Sequence, residues 1–339
     1  MNSQRRFLYG GVIGPVLALL LAASPAGAQT GDRSSVRYRV VVTEPQITNI
    51  NNLGQGIGDF MTSTGVVHAF IQTNGVRTDL GSLGGYSHAG AINDRGEVAG
   101  VSLGLDGHVH LFLYAGGRMR DLGVLGDNAN VLDLNNRGEI TGNHTPPGRD
   151  HVGFLYSGGR LRELPSFAKS YRATYARALN DRSQVTGYAA DEEAVIWEGN
   201  RIRVIGPLIG GWSFPADINN RGDVVGAGDL PGAAGPDDGK AFLYSKGKVT
   251  DLGTFGGPLA AASSINNLGQ IVGRAEVRYH DSRAFLYERG RLLNLNDLVQ
   301  PGSGWLLGDA AKINDRGQIL AWGSRDGDYR LLWLEPLPR

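Results

Sequence analysis

The 339-residue chain contains no cysteine, so neither a disulfide bond nor a thiolate metal site can form. Charged residues make up only 19% of the chain, and 33 basic residues balance 33 acidic ones. A chain without excess positive charge lacks the electrostatic footprint of proteins that bind nucleic acid or anionic membranes. The fold must therefore depend on a hydrophobic core, which a chain of this length can bury.

Signatures of the common catalytic sites are also missing. We find no P-loop, no Rossmann glycine motif, no H-E-x-x-H zinc motif, and no G-x-S-x-G elbow at a strand-to-helix turn. Long helices are disfavoured as well, because 52 residues are Gly and each Gly inside a helix costs about 1 kcal/mol. These absences favour short strands joined by many turns.

What the chain does contain is one motif written seven times: an aliphatic residue, Asn, Asn or Asp, any residue, then Gly (Ser183 once). The second copy reads Ile92-Asn93-Asp94-Arg95-Gly96. A period of about 44 residues is typical of repeat folds such as propellers. The first asparagines of the copies are Asn51, Asn93, Asn135, Asn180, Asn219, Asn266 and Asn314.

The motif has the chemistry of a tight turn. Asn and Asp side chains accept hydrogen bonds from the backbone two residues later. A Gly three positions after the first Asn can take the left-handed conformation that closes a three-residue hairpin loop with a bulge. A calcium loop would need carboxylates at alternating positions and a closing Glu. The second position is Asn in four copies and no acid follows regularly, so the motif predicts a structural turn.

Each repeat carries the signals of four short strands, A to D. In the second repeat they cover 89–92, 97–101, 110–114 and 118–123. The C strands are apolar at successive positions, which is typical of strands whose sheet is covered on both faces. The sequence therefore predicts an all-β fold, a seven-bladed β-propeller of four-stranded blades. A β-solenoid is the alternative, but its coils are usually shorter.

The ends of the repeat region complement each other. The seventh repeat reaches Arg339 after its C strand, and the valine-rich run Val36–Val42 precedes the first A strand, where a D strand belongs. We expect this run to pair with the last C strand and to close the ring.

Residues 1–28 have the pattern of an export signal: two arginines, an apolar run over 10–23, and an A-x-A cleavage site at 26–28. The apolar run is too short for a spanning helix. Removing this segment would leave 31 basic and 33 acidic residues. We expect a signal peptide (1–28), a linker (29–35) and a propeller (36–339), exported through the general or twin-arginine route as a monomer without a membrane span.

Three linked motifs recur in order along the chain. They are His68-Ala69-Phe70, the run Asp79-Leu80-Gly81-Ser82-Leu83-Gly84-Gly85, and the turn motif of 91–96, with the same cadence at 241–244, 251–257 and 265–267. This order resembles the HAF family of extracellular repeats over essentially the whole mature chain, although the signatures weaken around Asn135 and Asn180. The resemblance implies export and a repeat architecture, but no established reaction or catalytic residue.

The B–C loops vary in length and the A–B turns do not, so we expect binding on the face formed by B–C loops and D–A crossovers. Aromatic rings beside Asn, Asp and Arg suit a sugar. The predicted ligand-binding residues are Tyr86, His88, Tyr175, Trp212 and Phe214. We expect an exported binding module for a glycan or cell-surface polymer that needs no metal and no cofactor.

Several alternatives stay open. A polysaccharide hydrolase or lyase could use His88, Tyr175, Arg172 and Asp309, and a large apolar patch would instead indicate a protein-interaction platform. Some aromatic residues, Trp305 among them, could simply cap the gaps between blades. A metal or a general base could come from the loop histidines, although their spacing matches no metal motif. These are His108, His110, His144, His151 and His280.

Overall fold

Seven antiparallel sheets of four strands make up the described part of the chain. In six sheets the strands run in sequence from the innermost, A, to the outermost, D, and in the seventh the first strand of the chain is the outermost. The A strands of neighbouring blades contact one another around a central axis. The predicted seven-bladed propeller is therefore confirmed. This computed structural model describes residues 37–338 except 127, 168–172, 190–192, 206–212 and 231–238.

The strand bounds follow the repeat. The A strands are β2 (Asn49–Ile50), β6 (Gly84–Ile92), β10 (Asn130–Leu134), β14 (Thr174–Leu179), β18 (Ser213–Ile218), β22 (Ala260–Ile265) and β26 (Leu306–Ile313). The B strands are β3 (Gln55–Met61), β7 (Val98–Gly104), β11 (Ile140–His144), β15 (Gln184–Ala189), β19 (Val224–Gly228), β23 (Ile271–Arg278) and β27 (Ile319–Arg325). In the second repeat both strands extend further toward the crossover face than predicted.

The outer strands complete each blade. The C strands are β4 (Val67–Thr73), β8 (Val109–Ala115), β12 (Val152–Ser157), β16 (Glu193–Glu198), β20 (Lys240–Ser245), β24 (Asp281–Glu288) and β28 (Asp328–Pro336). The D strands are β5 (Val76–Asp79), β9 (Arg118–Val124), β13 (Arg160–Glu163), β17 (Arg201–Val204), β21 (Lys248–Asp251), β25 (Arg291–Asn294) and β1 (Tyr38–Val41). A 3-10 turn, Leu295–Asp297, follows β25.

The ring closes through its first strand, as predicted. β1 pairs antiparallel with β28, placing Tyr38 opposite Pro336 and Val41 opposite Trp333. Tyr38 also belongs to the core between the sixth and seventh blades, and burial raises its pKa to about 12, so the phenol stays protonated at neutral pH. The predicted signal peptide (1–28) and linker (29–35) lie outside the described residues. No helix in the described ranges is long and apolar enough to cross a membrane.

The core lies between blades, where the C strands supply the largest buried rings. Phe112 of β8 is fully buried, and it packs in one cluster with Ile57 and Ala69 of the first blade. At Gly100 of β7, a Cβ atom would lie 2.7 Å from the Phe112 ring and 2.0 Å from the His88 carbonyl oxygen. Gly100 therefore lets the A, B and C strands of one blade pack closely.

The turn motif folds as predicted. Gly96 has φ +72°, the Asn93 N–H donates to the Glu97 carbonyl at 3.1 Å, and Asn93 Oδ1 accepts the N–H groups of Arg95 and Glu97, both at 3.0 Å. Ser183, which replaces Gly in the fourth copy, takes the same left-handed conformation with φ +60°. The motif is thus a three-residue hairpin loop.

The first asparagine also joins the blades, which the sequence did not predict. Asn93 Nδ2 donates to its own Glu97 side chain at 2.7 Å and to the backbone carbonyl of Asn135 in the next blade at 3.0 Å. The equivalent inter-blade bond is present in all seven blades and forms a closed ring. Each of these buried amides uses both its oxygen and its nitrogen.

A second ring runs through the Asn-or-Asp position. Each backbone N–H there donates to the side chain of the same position in the next blade, as from Asp94 to Asn136 at 2.8 Å. Around the ring the residues are Asn52, Asp94, Asn136, Asp181, Asn220, Asn267 and Asp315. No two Asp are neighbours, and each carboxylate accepts amide hydrogens from the Asn on either side. Seven is odd, so one like pair is unavoidable, and that pair is the neutral Asn220–Asn267.

Three charged residues line the channel beside these rings. Lys312 Nζ lies 3.8 Å from Asp217 Oδ2, and the charge of Asp217 raises the pKa of Lys312. Burial raises the pKa of Asp133, whose carboxylate accepts the N–H groups of Leu134 and Leu179. The turn end of the channel is thus filled with polar groups that bind one another.

Candidate functional site

The opposite, crossover end of the channel holds most of the predicted site residues. In six blades, the A-strand residue five positions before the first Asn of the turn motif pairs with the equivalent residue of the B strand. These A-strand residues therefore lie at the same depth along the channel. They are His88, Asn130, Tyr175, Phe214, Ala261 and Asp309. We call this level, with its B-strand partners, the crossover mouth.

In the first six blades, the B strand contacts the A strand of the next blade. Asp59 of β3 bonds to His88 of β6, and Asn143 of β11 accepts the Ala176 N–H of β14 at 2.8 Å. Tyr188 of β15 packs on Phe214 of β18 in the same manner. The chemistry of the mouth therefore changes from one blade boundary to the next.

At the boundary between the first two blades, His88 is held by a carboxylate. Its Nδ1 lies 2.8 Å from Asp59 Oδ2, and Asp59 Oδ1 accepts the Ala89 N–H at 2.9 Å. The hydrogen bond from Asp59 raises the pKa of His88, against a smaller opposite effect of burial. The ring of Tyr86 lies 5.2 Å from His88. The structure thus brings Tyr86 and His88 together and adds Asp59, which the sequence analysis missed.

An aromatic cluster spans the boundary between the fourth and fifth blades. The rings of Tyr175 and Tyr188 are stacked with centroids 4.6 Å apart, and the edge of Phe214 meets Tyr188 at 5.2 Å. His151 of the third blade contacts Tyr175 at 5.2 Å. The cluster thus joins two predicted site residues, Tyr175 and Phe214, through Tyr188. The sequence could have predicted that Tyr188 lies opposite Tyr175, because the A–B turn of this blade fixes which residues of the two strands pair.

At the boundary between the sixth and seventh blades, Asp309 meets Arg274. Arg274 Nη1 donates to Asp309 Oδ2 at 3.4 Å, while Asp309 Oδ1 is buried without a partner among the described residues. Burial raises the pKa of Asp309, and burial together with the Asp309 charge raises the pKa of Tyr329. Tyr329 stacks in parallel on Trp322 at 5.2 Å.

The predicted residues do not form one cluster. Tyr86 and His88 stand at the boundary between the first and second blades, whereas Tyr175 and Phe214 belong to the cluster at the boundary between the fourth and fifth blades. Trp212 and the alternative catalytic residue Arg172 lie outside the described residues. Trp305 is buried in the core of the seventh blade, with Arg325 over its ring at 4.7 Å, and so it packs the blade boundary.

Each of the histidines in or beside the B–C loops that is described next has its own hydrogen-bond partners within the fold. His110 Nδ1 contacts Asp121 at 2.9 Å and its Nε2 contacts Asp106 at 3.0 Å. His144 Nδ1 bonds to the Leu125 carbonyl, and His151 bonds to the Thr145 hydroxyl at 2.7 Å. No group of three or more His, Cys, Asp or Glu in the described ranges could hold a metal ion.

The His-Ala-Phe and Asp-Leu-Gly motifs recur together in the sequence, and in the structure the His of the first contacts the Asp of the second. His68 Nδ1 lies 3.0 Å from Asp79 Oδ1, which also accepts the Gly81 N–H at 2.8 Å. His110 and Asp121 repeat this pair in the second blade. The pair fastens the C strand to the D strand, so these histidines are structural.

The segment Gly100-Val101-Ser102-Leu103-Gly104 has the spacing of a nucleophile elbow, but it lies inside strand β7. The Ser102 hydroxyl is buried, donates to the Tyr86 carbonyl at 2.9 Å and accepts the Leu83 N–H at 2.9 Å. A serine held in this way positions the D–A crossover and is not a nucleophile.

A recess of about 150 Å³ lies at the turn end of the channel. It is lined by the two asparagine rings together with Asp133, Asp217 and Lys312. Because those side chains already bind one another, the recess offers few free groups to a ligand. The crossover mouth, with its aromatic rings and half-exposed polar groups, is therefore the stronger candidate site.

No family model matches the chain, and no curated protein matches it significantly. The β-propeller domain of the Trilobed protease from Pyrococcus furiosus is similar in structure, with a TM-score of 0.60 and 9% identity over 87% of this chain and 98% of that one. At such an identity the similarity concerns the fold alone. The chain is a propeller module.

Two peptidases are also similar in structure to this propeller. A puromycin-hydrolysing peptidase from Mycobacterium tuberculosis has a TM-score of 0.55 and 14% identity, covering 93% of this chain and 55% of that one. The acylaminoacyl peptidase from Pyrococcus horikoshii has a TM-score of 0.57 and 10% identity, covering 88% and 52%. The propeller spans about half the length of these proteins.

Proposed function

We propose that this propeller is an exported module that binds a glycan or another polyhydroxylated cell-surface polymer at the crossover mouth. The observation that carries the proposal is the aromatic cluster of Tyr175, Tyr188 and Phe214 across two blades. Aromatic rings cover the C–H faces and edges of sugars, while neighbouring polar groups bind hydroxyls.

Polar groups for such a ligand surround the cluster. Asn130 stands at the neighbouring boundary, and His151, directly before β12, is half-buried beside Tyr175. Rigid strands hold the aromatic rings and Asn130, so a ligand would meet a preorganised surface and little ordering entropy would be lost. The export pattern of residues 1–28 and the HAF-like motifs support a location outside the cytoplasm, which is part of the proposal.

A polysaccharide panel tests this function. The chain beginning at Gln29 would be passed over immobilised polysaccharides, and both its retention and any released sugars would be measured. We expect retention that Tyr175→Ala and Phe214→Ala each weaken about tenfold, the scale of one lost aromatic contact. Tyr279→Ala, an exposed aromatic on a B–C loop outside the cluster, is the matched control. Equal retention of all four proteins would contradict the proposal.

The hydrogen bond between His88 and Asp59 supports a second candidate, an enzyme acting on the same polymer. A carboxylate that orients an imidazole is the usual arrangement of a general base. In that case the panel would release sugar products, and His88→Ala and Asp59→Asn would both abolish them. If no polysaccharide is retained or cleaved, a protein partner becomes the better explanation of this face.

A further inference from the structure

Arg177 occupies an unusual place on the inner wall of the channel. It forms a β-bulge in β14, the innermost strand of the fourth blade. Ala176 and Ala178 on either side of it pair with residues of β15, and Arg177 itself does not. An innermost strand is covered by its own B strand and by the neighbouring A strands, so the half-exposed Arg177 must border the channel. In other blades the bulged residues are Gly90, Leu132, Ala216, Ser263 and Ala311.

Those other residues are uncharged, so none of them can form an ion pair with Arg177. It also differs from other cations along the channel. His88 has Asp59, Arg274 has Asp309, and Lys312 has Asp217. Within the described ranges Arg177 has no ion pair, and its recorded contact is with the ring of Tyr188, 5.7 Å from the guanidinium carbon.

A half-buried guanidinium has five N–H donors, and leaving them without acceptors costs free energy. A guanidinium over an aromatic ring keeps the donors at its edge available for a planar or tetrahedral anion. Asp59 and Asp309, the acidic groups of the mouth named above, are already paired with other cations. Among the described residues the guanidinium of Arg177 has no counterion, so an anionic ligand would supply the missing partner.

We propose that Arg177 binds the carboxylate or sulfate group of an acidic glycan whose sugar rings lie against the Tyr175–Tyr188–Phe214 cluster. The inference rests on the proposed glycan-binding function and narrows it to anionic polymers. The aromatic cluster supplies apolar contact, and Arg177 supplies the charge-assisted hydrogen bonds that select a charged polymer over its neutral counterpart.

Matched polymer pairs test the proposal. Binding of the chain from Gln29 onward would be measured by calorimetry to polygalacturonate and its methyl ester, and to dextran sulfate and dextran. We expect at least one anionic polymer to bind tenfold or more tightly than its neutral partner, with an affinity that falls as salt increases. The two pairs distinguish a carboxylate from a sulfate ligand.

Variants assign the effect to Arg177. Arg177→Gln should lose about tenfold in affinity for the anionic polymer, and Arg177→Lys should retain part of it. The control is Arg203→Gln in the same blade. Arg203 also lies 5.7 Å from a tyrosine ring, that of Tyr244, but on the outermost strand. Melting temperatures of all variants would show that each one is folded.

Each outcome is decisive. Equal binding of charged and neutral polymers, unaffected by Arg177→Gln, would overturn this inference and leave glycan binding standing. An equal loss in Arg203→Gln would show that charge attraction is general and would also overturn it. If no polymer binds, the proposed function itself fails, and the inference fails with it.

Discussion

The side-chain amide of Asn314 donates a 2.8 Å hydrogen bond to the backbone carbonyl of Asn51, which lies 263 residues earlier in the chain. This bond joins the last blade to the first at the axis, while β1 joins them at the rim by pairing with β28. The ring of blades is thus closed both at the central axis and at the outer rim. The inner closure uses the same residue type and geometry as every other blade boundary.

Replacing Asn314 with Ala should destabilise the propeller by about 2–4 kcal/mol, because buried groups lose their partners. The carbonyl of Asn51 loses one of its two donors, and the N–H groups of Arg316 and Gln318 lose the Asn314 oxygen. Urea unfolding would measure the change. Asn200→Ala, in an exposed turn of the fourth blade, should change stability by less than about 0.5 kcal/mol. Equal effects would contradict the ring.

Deleting β1 should lower the melting temperature in one cooperative step. A chain beginning at Thr43 exposes the edge of β28 and removes Tyr38 and Val40 from the core of the seventh blade. A chain beginning at Arg37 keeps β1 and should melt like the longer protein. Scanning calorimetry of the two chains tests the rim closure, and an unchanged melt after removal of β1 would show that it adds nothing.

Asn136→Asp should destabilise the protein at neutral pH by about 1–3 kcal/mol, because it creates three adjacent carboxylates. Asn136 now donates to Asp94 and Asp181 at 3.2 and 3.1 Å. Asn220→Asp, which has Asp181 on one side and Asn267 on the other, should cost less. The opposite ranking in urea unfolding would refute the importance of alternation.

Lys312→Met should cost about 3 kcal/mol at neutral pH, since it leaves the carboxylates of Asp217 and Asp133 in the channel without a cation. Adding Asp217→Asn should restore part of the loss. Because the folded pKa of Lys312 is raised, its contribution is present below its unfolded pKa of about 10.4 and is lost as the pH rises through the folded value. Alkaline unfolding curves that coincide for the native chain and Lys312→Met would disprove this role.

His110→Gln should be more destabilising at pH 6 than at pH 9. Burial acts against the charged ring, but hydrogen bonds to Asp121 and Asp106 outweigh it and raise the pKa of His110. The stabilisation is therefore complete below the unfolded pKa of about 6.5 and is lost as the pH rises through the folded value. Thermal melts across pH would show the trend, and an effect of His110→Gln that is the same at pH 6 and pH 9 would contradict it.

The sequence was sufficient for the turns, the strands and the rim closure because these follow from local chemistry and period. Asn93 and Gly96 specify their hairpin within a few residues, and the apolar run of β8 indicates a covered strand on its own. The contacts of Asn93 with Asn135 could not be predicted, because they join residues that only the curvature of the ring brings together.

Several residues of the candidate site could likewise be predicted from the sequence, whereas their contacts across blade boundaries could not. Tyr175, Phe214, Tyr86 and His88 could be chosen from the sequence because each stands at a fixed distance before a turn motif. The packing of neighbouring blades decides which of these residues are in contact. It brings Asp59 within hydrogen-bonding distance of His88, and it lets Tyr188 contact both Tyr175 and Phe214. These partners lie on B strands, whose relation to the next blade is not local.

By itself the sequence determined that the chain forms seven four-stranded units with a tight turn in each, since the turn residues and apolar runs act over short distances. The tertiary structure decided how the charges are matched. It surrounded each Asp of the second ring with Asn, placed Lys312 beside Asp217, and left Arg177 without a counterion among the described residues. Charge pairing depends on distances across blade boundaries, and only the closed ring sets those distances.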